Sequence, residues 1–112
     1  VQLKTKTLTG MVRPYHLIDR MLKSQGFRRS HNQPPVYKMK IKDAGSGLVY
    51  RLKIPTSSPR PHSDLKYLRF EPPSLELDKT LFKSNSSLPV IPDTIVSAAN
   101  EKIEEVASYL RS

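Results

Sequence analysis

From residue 36 to residue 54 the chain alternates apolar and cationic side chains with a period of two, and the phase inverts across a short turn. In VYKMKIK, Tyr37, Met39 and Ile41 share one face, while Lys38, Lys40 and Lys42 share the other. In LVYRLKI the parity flips: Leu48, Tyr50, Leu52 and Ile54 join the apolar face, and Val49, Arg51 and Lys53 the polar one. Between them, Asp-Ala-Gly-Ser-Gly at residues 43–47 has the composition of a hairpin turn. Apolar residues meet across such a hairpin only if paired positions add to an odd total, such as 41 with 50 or 41 with 48. A total of 91 sets Lys40 opposite Arg51 and Lys38 opposite Lys53, and like charges placed opposite each other are destabilising. One sheet face therefore gathers five cations: Lys38, Lys40, Lys42, Arg51 and Lys53.

The flanking segments supply a layer to cover the apolar face. Residues 3–12 (LKTKTLTGMV) are threonine-rich and read as a first strand or extended arm. Pro14 suits the first turn of a helix whose stripe is Leu17, Ile18, Met21 and Leu22. Gln25-Gly26-Phe27 ends it, with glycine in the left-handed position and Phe27 folding back on Leu22. Arg28 to Pro35 (RRSHNQPP) reads as a loop, Pro55 as the end of the second hairpin strand, and TSSPRPHSD (56–64) as a further loop. Residues 65–71 (LKYLRFE) form a third strand, with either Leu68 and Phe70 or Leu65 and Tyr67 inward. Leu75 and Leu77 alternate in SLELDKTLF, a fourth strand; SNSSLPVIP is a linker. A final helix is capped by Asp93 and carries Ile95, Ala99, Ile103, Val106 and Leu110 on one stripe, widened by Val96 and Ala107. The expected fold is a single α+β domain over residues 1–112. An antiparallel sheet of three to five strands carries two helices on one face, in the order (β)-α-β-β-β-(β)-α.

Charge is unevenly spread along the 112 residues, whose net value is +9. Residues 1–70 hold 15 Lys and Arg against three acids, and residues 71–112 hold four against seven. Such a split points to an anionic partner, although solubility alone also accounts for a basic chain. With no cysteine, disulfide scaffolds, thiol nucleophiles and cysteine-based zinc sites are excluded. No apolar run approaches the ~20 residues of a spanning helix, and VQLKTKTLTG holds no signal-type apolar block, so a cytoplasmic chain with no membrane association is expected.

Catalytic signatures are sparse. His16 stands three residues before Asp19 on the first helix; His31 lies in a loop, and so does His62 in His62-Ser63-Asp64. Sequence adjacency does not orient a triad, and no HExxH, P-loop, GxGxxG or GxSxG is present. No catalytic residue, metal site or cofactor is expected, and an enzyme using His16 or His62 ranks last. The sequon at Asn85-Ser86-Ser87 and the PxxP-like PTSSPRP carry little weight.

Two nucleic-acid folds serve as tests. An RRM-like sheet exposes aromatics for base stacking, whereas Tyr37 and Tyr50 here fall on the inward parity. The helix–three strands–helix order resembles the double-stranded RNA-binding domain, but that family's lysine cluster at the second helix is replaced by PDTIVSAANEK.

A closer resemblance lies in LTG…HLIDRMLKSQGF followed by VYKMKIKD…LVYRLKIP, ending in Ile54-Pro55. Over roughly residues 7–55 this resembles the YugN-like family of small Bacillus-type proteins, with RRSHNQPP replacing a Trp/Gly/Asp-rich stretch. The resemblance implies a bacterial cytosolic protein with no catalytic residues to carry over. In element order the chain is also similar to compact secretion-chaperone-like α+β folds, which dimerise.

The expected function is a non-enzymatic binding module holding an anionic partner, nucleic acid or acidic protein. Lys38, Lys40, Lys42, Arg51 and Lys53 form its surface, joined by Arg28 and Arg29. The alternative is an interaction protein that forms a homodimer or docks a protein through its sheet. There the cations meet acids such as Glu101, Glu104 and Glu105 of a neighbouring chain, or serve solubility.

Overall fold

The computed structural model describes residues 2–3, 6–60, 66–78 and 90–111. The elements run β1 (Val12–Pro14), α1 (Tyr15–Ser24), β2 (Arg28–Arg29), β3 (Val36–Lys42), β4 (Val49–Ser57), β5 (Tyr67–Phe70), β6 (Ser74–Leu77) and α2 (Asp93–Arg111). All strand pairs are antiparallel, and the sheet is ordered β1-β5-β4-β3-β2 with β6 also on β4.

The β3–β4 hairpin has the register set by its alternation. Tyr37 faces Ile54, Met39 faces Leu52, and Ile41 faces Tyr50; Lys38 faces Lys53 and Lys40 faces Arg51. Tyr37, Tyr50, Leu52 and Ile54 are buried, with Met39, Ile41 and Leu48 packed at the margin of the same core. Asp43 builds the turn: its carboxylate accepts from the Gly45 amide at 3.2 Å and the Ser46 hydroxyl at 2.8 Å. Gly47 closes it at φ 75°, a backbone region that a side chain disfavours.

The first helix ends in a Schellman motif. The Phe27 amide donates to the Leu22 carbonyl at 2.9 Å and the Gly26 amide to Lys23 at 3.1 Å, with Gly26 at φ 94°. Phe27 and Leu22 are both buried, so the hydrophobic contact that accompanies this motif sits in the core. At the other end, Pro14 is the cap of α1 rather than part of its first turn, since its ψ of 139° is extended. The orphaned Tyr15 amide instead reaches the Lys66 carbonyl at 2.8 Å.

Four further differences from the sequence reading have local causes. The first strand forms at Val12–Pro14, beyond the threonine-rich arm, because Leu3 and Leu8 are buried and Gly10 turns the chain at φ 87°. Within RRSHNQPP, Arg28 and Arg29 pair with Lys38 and Tyr37 as a two-residue edge strand. β4 does not stop at Pro55 but continues to Ser57. β6 pairs with Tyr50 to Lys53 and β5 with Thr56 and Ser57 on the same side of β4, so Pro55 falls in the gap between them. Its carbonyl accepts from the Glu71 amide at 2.9 Å, on that same side; the missing N–H therefore faces the gap and costs no ladder bond. Asp93 is the first residue of α2 instead of its cap, as the Pro92 carbonyl takes the Ile95 and Val96 amides; an acid there still suits the helix dipole.

The remaining parities are resolved. Leu68 and Phe70 point inward from β5, Leu75 and Leu77 from β6. Ile95, Ala99, Ile103, Val106, Ala107 and Leu110 of α2 are buried in the common core with Ile18 and Leu22 of α1. Both helices thus cover one face of the sheet, which leaves the cationic face on the other side. His62-Ser63-Asp64, the sequon and most of the linker lie outside the described residues.

Candidate functional site

The five cations expected on the outer face do stand together, but β6 changes their surroundings. Its polar parity, Ser74 and Glu76, continues to Asp78, and strand pairing sets Glu76 opposite Arg51 and Ser74 opposite Lys53. Lys53 Nζ lies 2.6 Å from Glu76 Oε1. Arg51 Nη2 lies 3.1 Å from Asp78 Oδ1, and Lys40 Nζ 3.9 Å from Asp78 Oδ2. The Asp78 side chain is only 2% exposed, while that of Lys40 is 72% exposed. A hydrogen bond from Lys53, with the charges of Lys53 and Arg51, holds the Glu76 carboxyl below its ordinary range. Arg51, Lys53 and, loosely, Lys40 are therefore partnered within the chain.

The other half of the face is different. Among the described residues, Lys38, Lys42 and Arg28 have no ion-pair partner. Arg28 lies directly opposite Lys38 across β2–β3, and Lys38 lies opposite Lys53 across β3–β4. A depression of about 360 Å³, lined by Arg28, Lys38, Lys40, Met39 and Gly26, opens where β2 ends and the outer edge of β3 begins.

Arg29 does not join this group. Successive strand residues point to opposite faces, so Arg29 lies beside Tyr37 while Arg28 lies beside Lys38. Arg29 Nη1 lies 3.2 Å from Asp19 Oδ1 and donates weakly to the Tyr15 hydroxyl at 3.4 Å. Asp19 also accepts from the buried Tyr37 hydroxyl at 3.0 Å and pairs with Lys23 at 2.8 Å. Partial burial pushes the Asp19 carboxyl up, but the hydrogen bonds from Lys23 and Tyr37 and the charges of Arg29 and Lys23 outweigh it and hold it low. Burial, then the Asp19 carboxylate, pushes the Tyr37 phenol far up, so it stays a donor. An open cleft of about 580 Å³ adjoins this cluster, lined by Tyr15, His16, Asp19, Arg29, Lys66 and Tyr67.

The sequence singled out neither the carboxylates of β6 nor this cleft. The β6 acids had a signal, since Glu76 and Asp78 share the polar parity of Leu75-Glu76-Leu77-Asp78; their partner strand was the missing information. Among the described residues, no three His, Cys, Asp or Glu side chains are grouped to hold a metal. No helix there is long and apolar enough to cross a membrane.

The sequence matches no family model and no curated protein. Among solved structures, it is similar to the uncharacterized conserved protein YugN from Geobacillus kaustophilus HTA426, with a TM-score of 0.78. The alignment covers 99% of this chain and 95% of that one at 17% sequence identity. The fold is YugN-like. At this identity the likeness carries architecture alone. The likeness covers nearly the whole chain, beyond the resemblance read from residues 7–55.

Proposed function

We propose that this chain is a non-enzymatic binding module whose cationic sheet face holds an anionic macromolecule, with nucleic acid phosphates as the leading partner. Arg28, Lys38, Lys40 and Lys42 make the contacts, and Arg51 and Lys53 flank them. The observation that carries this reading is Lys38, which has a cation opposite it on each neighbouring strand and no carboxylate partner among the described residues. Opposed like charges work against the sheet; Glu76 answers Lys53, whereas no acid among the described residues answers Lys38 or Arg28, so that pair is useful chiefly when an external anion completes it. With the tyrosines of β3 and β4 buried, base stacking on those strands plays no part. The contacts are to backbone phosphates, and sequence preference is weak.

Fluorescence anisotropy with labelled duplex DNA, single-stranded DNA and RNA at two salt concentrations tests this. Affinity should fall steeply with salt, with a log–log slope of about 0.9 per neutralised phosphate on duplex DNA. Binding should be lost in Lys38→Glu/Lys42→Glu without a change in sedimentation mass. A flat response to all three nucleic acids at low salt, with polyglutamate binding instead, would assign the face to an acidic protein. A mass change in the double variant would favour the homodimer.

A further inference from the structure

The cleft beside the start of α1 has a chemistry of its own. Its volume of about 580 Å³ is within the range of small-molecule sites. Arg29 stands in it with its guanidinium carbon 6.0 Å from the centre of the Tyr15 ring. Only Nη1 of that guanidinium is engaged among the described residues, by Asp19 and the Tyr15 hydroxyl. The fork is therefore fixed on one side, with its remaining N–H groups available to a planar two-oxygen acceptor. Tyr67 lines the cleft while 53% exposed, a large ring left in water at the site's margin. Asp19 does not make the cleft anionic, because Lys23 and Arg29 both pair with it.

From this arrangement we infer that the cleft binds a small aromatic anion. Its carboxylate or phosphate engages the open edge of Arg29, and its ring packs against Tyr15 and Tyr67. The site is separate from the cationic sheet face, since Arg29 and Arg28 lie on opposite sides of the sheet. Both ligand groups can present two oxygens to the open edge of the guanidinium, the carboxylate planar and singly charged, the phosphate tetrahedral with a second charge.

Amide and side-chain NMR shifts read the site directly when benzoate, phenyl phosphate, benzyl alcohol or inorganic phosphate is titrated into the full chain. Saturable shifts at Tyr15, Arg29 and Tyr67 are expected with benzoate or phenyl phosphate, and whichever binds more tightly identifies the acid group. Binding should weaken about tenfold in Arg29→Lys, which keeps the charge beside Asp19 but loses the fork, as expected for a lost charge-assisted hydrogen bond. Tyr67→Ala, at an exposed position where folding is little affected, should weaken it as well. Lys38→Glu/Lys42→Glu should leave it unchanged. The inference is overturned if neither acid gives saturable shifts in the cleft, or if both variants bind like the parent. Binding of inorganic phosphate or benzyl alcohol as tightly as the aromatic acids would overturn it too.

Discussion

The two halves of the cationic face carry similar side chains in opposite circumstances. Toward β6, Arg51 and Lys53 meet Asp78 and Glu76 at 3.1 and 2.6 Å, and their charge is largely neutralised where it stands. Toward β2, Arg28, Lys38 and Lys42 lack such partners among the described residues. A count of lysines along the strands treats these halves alike. Carboxylates delivered by a distant segment distinguish them, so surface potential is a property of the assembled sheet rather than of one hairpin.

The comparison breaks most readily at Asp78. Removing its buried carboxylate takes a charge-assisted hydrogen bond from Arg51, whose side chain is 26% exposed and stays solvated; Asp78→Ala should cost about 2.5 kcal/mol in urea unfolding, the scale of a hydrogen bond to a charged group. A loss no larger than that of an exposed substitution would show that the β6 half is not held by its ion pairs. Next in size is Asp19→Asn, which removes the charged acceptor shared by Tyr37, Lys23 and Arg29 and should cost about 2 kcal/mol. Its pH dependence follows from the lowered Asp19 carboxyl. In the acid range the unfolded chain binds the proton first, so the stabilisation is complete above the ordinary carboxylate range. It disappears as pH falls through the lower folded value, where the variant and parent should converge in thermal melts.

The smallest effect has the opposite sign. Lys38→Glu gives Arg28 and Lys53 a carboxylate between them and should raise stability by about 0.5 kcal/mol, measured by the same unfolding. The same change should weaken anion binding, so that stability and binding move apart. If Lys38→Glu destabilised the chain instead, the β2 half would prove as satisfied as the β6 half.

Much of this architecture is legible along the chain because it rests on local periodicity. The inverted parity around residues 43–47 carries the register of β3 on β4, and Gln25-Gly26-Phe27 carries the end of α1. Less legible is anything decided between segments. Residues 65–71 fit two parities until Leu68 and Phe70 find the core. Arg28 and Arg29 form a strand only because Tyr37 and Lys38 lie alongside, and that pairing sends them to opposite faces. Pro55 ends a strand by rule, yet here its unbonded side faces the gap between two neighbours. The Asp19–Tyr37 hydrogen bond joins a helix to a strand 18 positions on, with no repeat to announce it. The candidate site was half legible for the same reason: its cations follow a period, and their partners do not.

The shared side of β4 has one more consequence. β3 and β6 grip this strand across residues 49–55, whereas the β1–β5 ribbon meets it only at Thr56 and Ser57, helped by the Glu71–Pro55 bond. Regions joined by few backbone hydrogen bonds open at lower free energy than the whole molecule. Native-state amide exchange should accordingly divide the sheet along that seam, with Arg69 and Glu71, whose amides face β4, losing protection before Met39 and Ile41, whose amides are held between β3 and β4. The strand that pairs with three of the five others is thus also where the protein's cooperativity is thinnest.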